Sequence, residues 1–141
     1  MFFDGGCKNG NLLYSYIIYE DGSKQKILFQ KSGRCGKGTS NVAEYRALML
    51  GLKKCLELNI KYLEIFGDCQ IVINQIKNKF RIRVESLRKM YIIIHSLLSQ
   101  FDYYELTWIK RYKNRDADQL IRETIRKRWP NPKKKQKRNK R

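Results

Sequence analysis

The strongest constraint on this chain is a change in hydrophobic period part-way along it. Up to residue 31 the apolar residues alternate or run in short blocks, in MFFDGGC, LLYSYIIYE and KQKILFQK. A period of two lines the faces of a strand, so these segments predict strands at 1–7, 12–20 and 24–31. Asp21-Gly22, between the last two, reads as a hairpin turn. From residue 41 the spacing becomes helical in NVAEYRALMLGLKKCLEL, with Asn41 or Ser40 as its N-cap. A short strand at 61–66 follows, then a helix that Asp68 opens and that runs to about Lys77. A helix over roughly 84–100, a strand at 103–109 and a helix at 114–127 complete the pattern. The order βββαβααβα, with three meandering strands first, predicts an α/β fold: a five-stranded mixed sheet flanked by helices. The glycine-rich SGRCGKGTSN before the first helix reads as a loop. It is not a P-loop, because Gly38 follows Gly36-Lys37 and no glycine precedes them at the required spacing.

Charge narrows what such a fold can be for. Thirty-one Lys and Arg face 13 Asp and Glu, a formal +18 on 141 residues. That surplus points to a polyanionic partner, nucleic acid first and an anionic membrane surface second. Residues 126–141, RKRWPNPKKKQKRNKR, hold ten basic residues and no acid, which leaves +8 on the other 125. Two prolines and nothing apolar beyond Trp129 make this end a basic arm. We therefore expect a folded domain over 1–127 and a disordered tail over 128–141. The length fits one domain, and 42% hydrophobic residues supply its core. Cys7, Cys35, Cys55 and Cys69 form no CxxC pair and have no histidine nearby, which argues against zinc. No signal peptide opens the sequence, and the apolar run around Met90–Leu98 is too short to cross a bilayer. The expectation is an intracellular protein, cytoplasmic or directed to a nucleus by its arm.

Acids belong on the surface, so those at positions built for apolar residues are informative. Asp4, in Phe2-Phe3-Asp4-Gly5-Gly6, shares a strand face with Phe2, and the glycines after it let a backbone or ligand come close. It also fits a turn-initiating Asp. Glu44 lines up with Leu48, Gly51 and Cys55 on the core side of its helix, or reaches back to Asn41 in a capping box. Asp68 ends a strand and begins a helix, where α/β sheets put their sites and where an ordinary N-cap also goes. Asp118 borders the stripe of Ile121 and Ile125, with Asp116 as its competitor. If the first and fourth strands are neighbours, all four converge at one sheet edge. Carboxylates held that close repel unless cations neutralise them. Oxygen ligands suit Mg²⁺, and a pair of such ions about 4 Å apart is a common device for phosphodiester cleavage.

Four motifs, FFDGG, TSNVAEYRALMLGL, LEIFGDCQIVINQI and LTWIKRYKNRDADQLI, resemble type 1 ribonuclease H in order and spacing. The likeness is to the compact variety of archaea and some bacteria, and covers residues 1 to about 125. It implies a ribonuclease H-like fold and an endonuclease that cuts the RNA strand of RNA–DNA hybrids. It also implies two Mg²⁺ ions with substrate bound, replaceable by Mn²⁺, and 5′-phosphate and 3′-hydroxyl products. The metal-binding acids become Asp4, Glu44, Asp68 and Asp118, the last preferred over Asp116 by its Ala117-Asp118-Gln119-Leu120 context. Gly5, Gly6, Asn41 and Gln70 match positions that read the RNA strand, and Thr39 one that contacts a DNA phosphate. Only RNA offers a 2′-hydroxyl as donor and acceptor.

Many bacterial members carry a histidine in the loop before the last acid. Here that loop has none; Arg111 stands at the place where the archaeal-like branch has an arginine, and Lys110 replaces the usual proline before it. Arg111 is thus a candidate auxiliary residue for phosphate or product release, while His95 reads as structural. The basic KNKFRIR stretch offers Lys77, Lys79, Arg81 and Arg83 to phosphates and Phe80 to a sugar, unless it is only a solvated connector. The expected partner is the hybrid, with no membrane, a monomeric protein, and a tail that adds nonspecific affinity. The competing readings are a catalytically silent nucleic-acid-binding module of the same fold, or a nuclease acting on double-stranded RNA.

Overall fold

The computed structural model describes residues 1–131; the expected basic arm therefore lies, past Asn131, outside the described residues. The chain runs through β1 (Phe2–Lys8), β2 (Asn11–Tyr19), β3 (Ile27–Lys37), α1 (Ser40–Glu57), β4 (Tyr62–Gly67), α2 (Gln70–Ile76), α3 (Glu85–Leu98), β5 (Tyr103–Trp108), a 3₁₀ turn (Arg111–Lys113) and α4 (Arg115–Arg128). The five strands form one sheet in the order β3-β2-β1-β4-β5. The first three are antiparallel, and β4 runs parallel to both β1 and β5. This is the α/β mixed sheet that the sequence predicts.

Strand alternation sends side chains to two helical layers. Phe3, Tyr14, Tyr16 and Ile18 pack in the core with Tyr45, Leu48 and Leu52 of α1 and Ile94 and Leu98 of α3. On the other face α4 lies across β1, β2 and β3. It is seated by buried Ala117 and Ile121 and by hydroxyls. Ser15 Oγ donates to Ala117 O at 2.6 Å, Ser32 Oγ donates to Leu120 O at 3.0 Å, and Ser32 also meets Thr124 Oγ1 at 2.6 Å. Among the described residues no helix is long and apolar enough to cross a membrane.

The sheet has a seam. β1 and β4 share the single paired position Phe2↔Phe66, extended by Phe66 N donating to Met1 O at 2.9 Å, whereas β1 pairs with β2 along its whole length. Beyond that position the two central strands diverge, with Asp4 on one side of the gap and Asp68 on the other.

One expectation needs correction. Residues 32–37 are strand rather than loop: β3 continues to Lys37 beside β2, and a register shift between Asn11 and Leu13 absorbs the irregularity. Gly36 makes this workable, since its φ of +112° is one that L side chains rarely adopt. Asp21-Gly22 does turn the chain between two antiparallel strands, Lys24 N donating to Asp21 O at 3.4 Å, but within a longer connection than the pair alone. β2 stops at Tyr19 and β3 starts at Ile27; Asp21 Oδ1 accepts from Ser23 N at 2.9 Å, and Lys24 takes a φ of +59°.

Candidate active site

Each acid is delivered by a different element. Asp4 comes from the middle of β1, Glu44 from the first turns of α1, and Asp68 from the residue after β4. Their oxygens lie within 4.8 Å of one another. The first and fourth strands are neighbours, as the convergence required, and the cluster sits where these two central strands part. Asp4 and Glu44 are each only 6% exposed.

Local structure decides between the open readings of these acids. The N-cap of α1 is Thr39, not Asn41 or Ser40, and no side chain caps it. Glu44 is therefore not half of a capping box, and it points inward with its Oε2 buried and unpartnered. The N-cap of α2 is Cys69, so Asp68 stands one residue outside the helix it was expected to cap. Asp116 accepts from Tyr19 OH at 2.8 Å and is exposed. Asp118 is half-buried; it accepts from Arg122 Nε at 2.9 Å and its charge reaches both Asp4 and Asp68. The structure thus brings three of the four acids into one group, with Asp118 alongside.

Charge in this cluster is expensive. Burial, then the neighbouring Asp68 carboxylate, push Asp4 up from 3.8 to about 7. Burial and Asp4 hold Glu44 well above the ordinary carboxylate range. Burial also raises Asp68, while a hydrogen bond from Asn114 and the charge of Arg111 pull it back. Arg111 is exposed on the 3₁₀ turn, and its positive charge reaches that carboxylate.

Gly5 has a steric reason to be glycine. A Cβ there would lie 2.4 Å from Glu44 N and 2.5 Å from Ala43 C, both main-chain atoms. Its absence lets α1 close onto β1 and sets Glu44 beside Asp4. Gly6 is under no such pressure, since a Cβ would meet Ile121 Cγ2 at an ordinary 3.4 Å. Asn41 lies next to the start of α2, with Cys69 Sγ 3.9 Å from its Oδ1, and Gln70 is exposed on the first turn there. Thr39 is exposed with its hydroxyl uncommitted to capping. Lys79 and Arg81 are not at the acids; they line, with Phe80 and Arg88, a hollow of about 490 Å³ beyond the far end of α2. At about 1.5 Å per residue, seven-residue α2 spaces that hollow from Asp68 by little more than one helix length. All four cysteines are free, and His95 bonds Ile76 O at 2.8 Å in a structural role.

Sequence reasoning missed Asn114 and Trp108. Asn114 is 1% exposed, and its Nδ2 donates to Phe3 O at 2.9 Å and to Asp68 Oδ2 at 3.0 Å. Trp108 Nε1 donates to Asp68 O at 3.1 Å. An Asn before a helix looks like any N-cap, and a Trp ending a strand like any apolar residue, so no local signal marks either.

A mixed sheet in this order, with acids gathered where its central strands diverge, defines a protein of the ribonuclease H-like fold. The chain belongs to the reverse transcriptase-like family, whose model matches residues 2–124. It is similar to ribonuclease HI of Halobacterium salinarum, 28% identical over 127 residues, 88% of this chain and 62% of that one. A crystal structure of ribonuclease H1 from that organism superposes with a TM-score of 0.81 at 27% identity, over 88% of this chain and 94% of the other. A bifunctional protein of Mycobacterium tuberculosis is 27% identical over 86% of this chain. This chain spans about a third of it, 34%, and the matching N-terminal RNase H domain superposes with a TM-score of 0.81, over 87% of this chain and 89% of that one. A ribonuclease H1 solved in complex with RNA/DNA hybrid has the same fold, with a TM-score of 0.79 at 24% identity over 89% of this chain and 95% of it.

Proposed function

We propose that this chain is an endoribonuclease of the ribonuclease H type, which cuts the RNA strand of an RNA–DNA hybrid by metal-dependent phosphodiester hydrolysis. The convergence of Asp4, Glu44 and Asp68 within 4.8 Å, where burial already penalises their charge, carries this reading. Three carboxylates so placed need a cation to stay ionised together. The residues fit one: every donor is an oxygen, which suits Mg²⁺ with Mn²⁺ as substitute, and Glu44 Oε2 is a buried acceptor without a donor. Two such ions, held by Asp4, Glu44, Asp68 and Asp118 with substrate bound, would supply an activated water and neutralise the departing 3′ oxygen, leaving 5′-phosphate and 3′-hydroxyl ends.

The chain's own residues hold and read the substrate. Gly5 and Gly6 offer main-chain groups, and Asn41 and Gln70 offer amides, to the RNA strand and its 2′-hydroxyls. The free Thr39 hydroxyl takes a DNA phosphate. Lys79 and Arg81 grip phosphates further along, where the half-exposed Phe80 stacks on a sugar. Arg111, exposed beside Asp68, takes the scissile phosphate or helps the product leave. The protein acts as a monomer, and its basic residues from 128 onward add affinity without sequence preference. The names of the halobacterial relatives and the hybrid bound to a fold neighbour support the substrate class.

The test is cleavage of labelled hybrid, RNA duplex and DNA duplex with Mg²⁺, Mn²⁺ or EDTA, comparing wild type with Asp68→Asn. Metal-dependent cutting of the RNA strand of the hybrid, lost in the variant while hybrid binding persists, is the expected result. Turnover by Asp68→Asn would refute the site; binding without cutting in either metal would refute the activity.

A further inference from the structure

Asn114 is a buried polar side chain held at two points by its amide. It is 1% exposed, and its amide has been turned in one direction only. Nδ2 donates to Phe3 O, the main chain just before Asp4, and to Asp68 Oδ2. Both partners are pure acceptors, so the amide cannot be flipped: a carbonyl in that place would face two oxygens. The consequence is visible at the other end of the group, where Asn114 Oδ1 is buried with no donor. Buried polar atoms are almost always paired, and one left unpaired calls for an explanation. Stability alone does not explain it, because Asn114 does not spend its side chain on capping the helix it precedes.

Its connections supply the explanation. Asn114 reaches across the seam between β1 and β4, touching the strand that carries Asp4 and the acid that follows β4. Its own N–H donates to Arg111 O at 3.0 Å, and its carbonyl accepts from Asp118 N at 3.1 Å. One residue is therefore bonded directly to Asp68, Arg111 and Asp118, and to Phe3, the residue before Asp4. Trp108, on the same segment, holds the Asp68 main chain. We propose that Asn114 is a positioning residue: it fixes the orientation in which Asp68 is offered to the divalent cation and ties the Arg111 turn and Asp118 to that orientation. This rests on the metal-dependent reading of the site given above.

Outer partners of a metal ligand tune affinity and rate by about 10–100-fold. Asn114→Ser keeps a good helix-cap residue but cannot reach Asp68. Asn114→Asp keeps the shape and replaces the donor by an acceptor. Mn²⁺ binding by calorimetry, thermal melting, and kcat and KM on the hybrid are measured for both beside wild type. The proposal expects Mn²⁺ affinity and kcat to fall by about 10–100-fold in Asn114→Ser, with KM for the hybrid within about twofold, and to fall further in Asn114→Asp. A lower melting temperature with unchanged Mn²⁺ affinity would make Asn114 structural only and overturn it. Wild type that binds no Mn²⁺ would instead overturn the reading of the site itself. Should both variants fail to fold, the side-chain NH₂ signals of Asn114 in ¹⁵N-labelled wild type decide. They are expected to be protected from exchange and to shift on Mg²⁺ saturation; signals that exchange freely and do not move overturn the proposal.

Discussion

Asp4 concentrates the chemistry of this protein in one side chain. Its carboxyl is raised from 3.8 to about 7, first by burial and then by Asp68. The folded, metal-free protein thus holds that proton to a higher pH than the unfolded chain does. Its stability is fully present below about pH 4 and is lost as pH rises through 7. At about 1.4 kcal/mol per unit, the penalty at pH 8 is on the order of a few kcal/mol. Metal-free Asp4→Asn is therefore expected to melt above wild type at pH 8, with a gain that shrinks toward pH 4; saturating Mg²⁺ should erase the wild-type deficit. Melting curves across that range with EDTA or Mg²⁺ check it, and a gain independent of pH would contradict the assignment. The acids themselves were legible in the sequence because an Asp between Phe3 and two glycines, or a Glu on a core-facing helix stripe, violates local patterning. Asn114 and Trp108 were not, since each obeys the local rules and reaches the site through partners distant in sequence, Asp68 for both and Phe3 for Asn114.

Among the elements, α4 is the vulnerable one. It carries Asp118, starts immediately after Asn114, and buries only Ala117 and Ile121, with the rest of its seat made by Ser15, Ser32 and Thr124. Ile121→Ala removes most of that apolar contact and is expected to cost about 2–4 kcal/mol. The loss should be local before it is global: α4 amides would exchange faster while β1 and β2 stay protected, and turnover would fall at temperatures where circular dichroism still reports a folded sheet. Uniformly faster exchange would contradict this. The same scale separates readable elements from hidden ones. α1 and α3 followed from their 3.6-residue stripes to within a residue or two. The second half of β3 did not, because Gly33 and Gly36 read as loop while their use is to fit against Tyr14 and Arg46. Gly33 finds Tyr14 only once β2 and β3 have paired, and Gly36 meets Arg46 only once α1 has packed.

For the whole molecule the dominant quantity is charge. With +18 in total and seven Lys and Arg in residues 132–141, hybrid binding should weaken steeply with salt, each phosphate contact adding about 0.9 to the logarithmic slope. Measured on Asp68→Asn, which is expected to bind without cutting, removal of residues 132–141 should reduce both affinity and slope. The same deletion in wild type should leave kcat at low salt and saturating hybrid unchanged. An unaltered slope would mean that these residues make no phosphate contacts.

The seam between β1 and β4 divides the sheet into two leaves, β3-β2-β1 and β4-β5, joined by one paired position, by the bonds Phe66 N to Met1 O and Met1 N to Glu64 O beside it, and by the Asn114 amide. Asp4 belongs to one leaf and Asp68 to the other, so a cation between them would act as a clasp across a line where few strand-to-strand bonds run. Opening along that line would part the acids while each leaf keeps its own hydrogen bonds. A bound ion would then also serve as a mechanical fastener, and the fold would be stiffest with its acidic site filled.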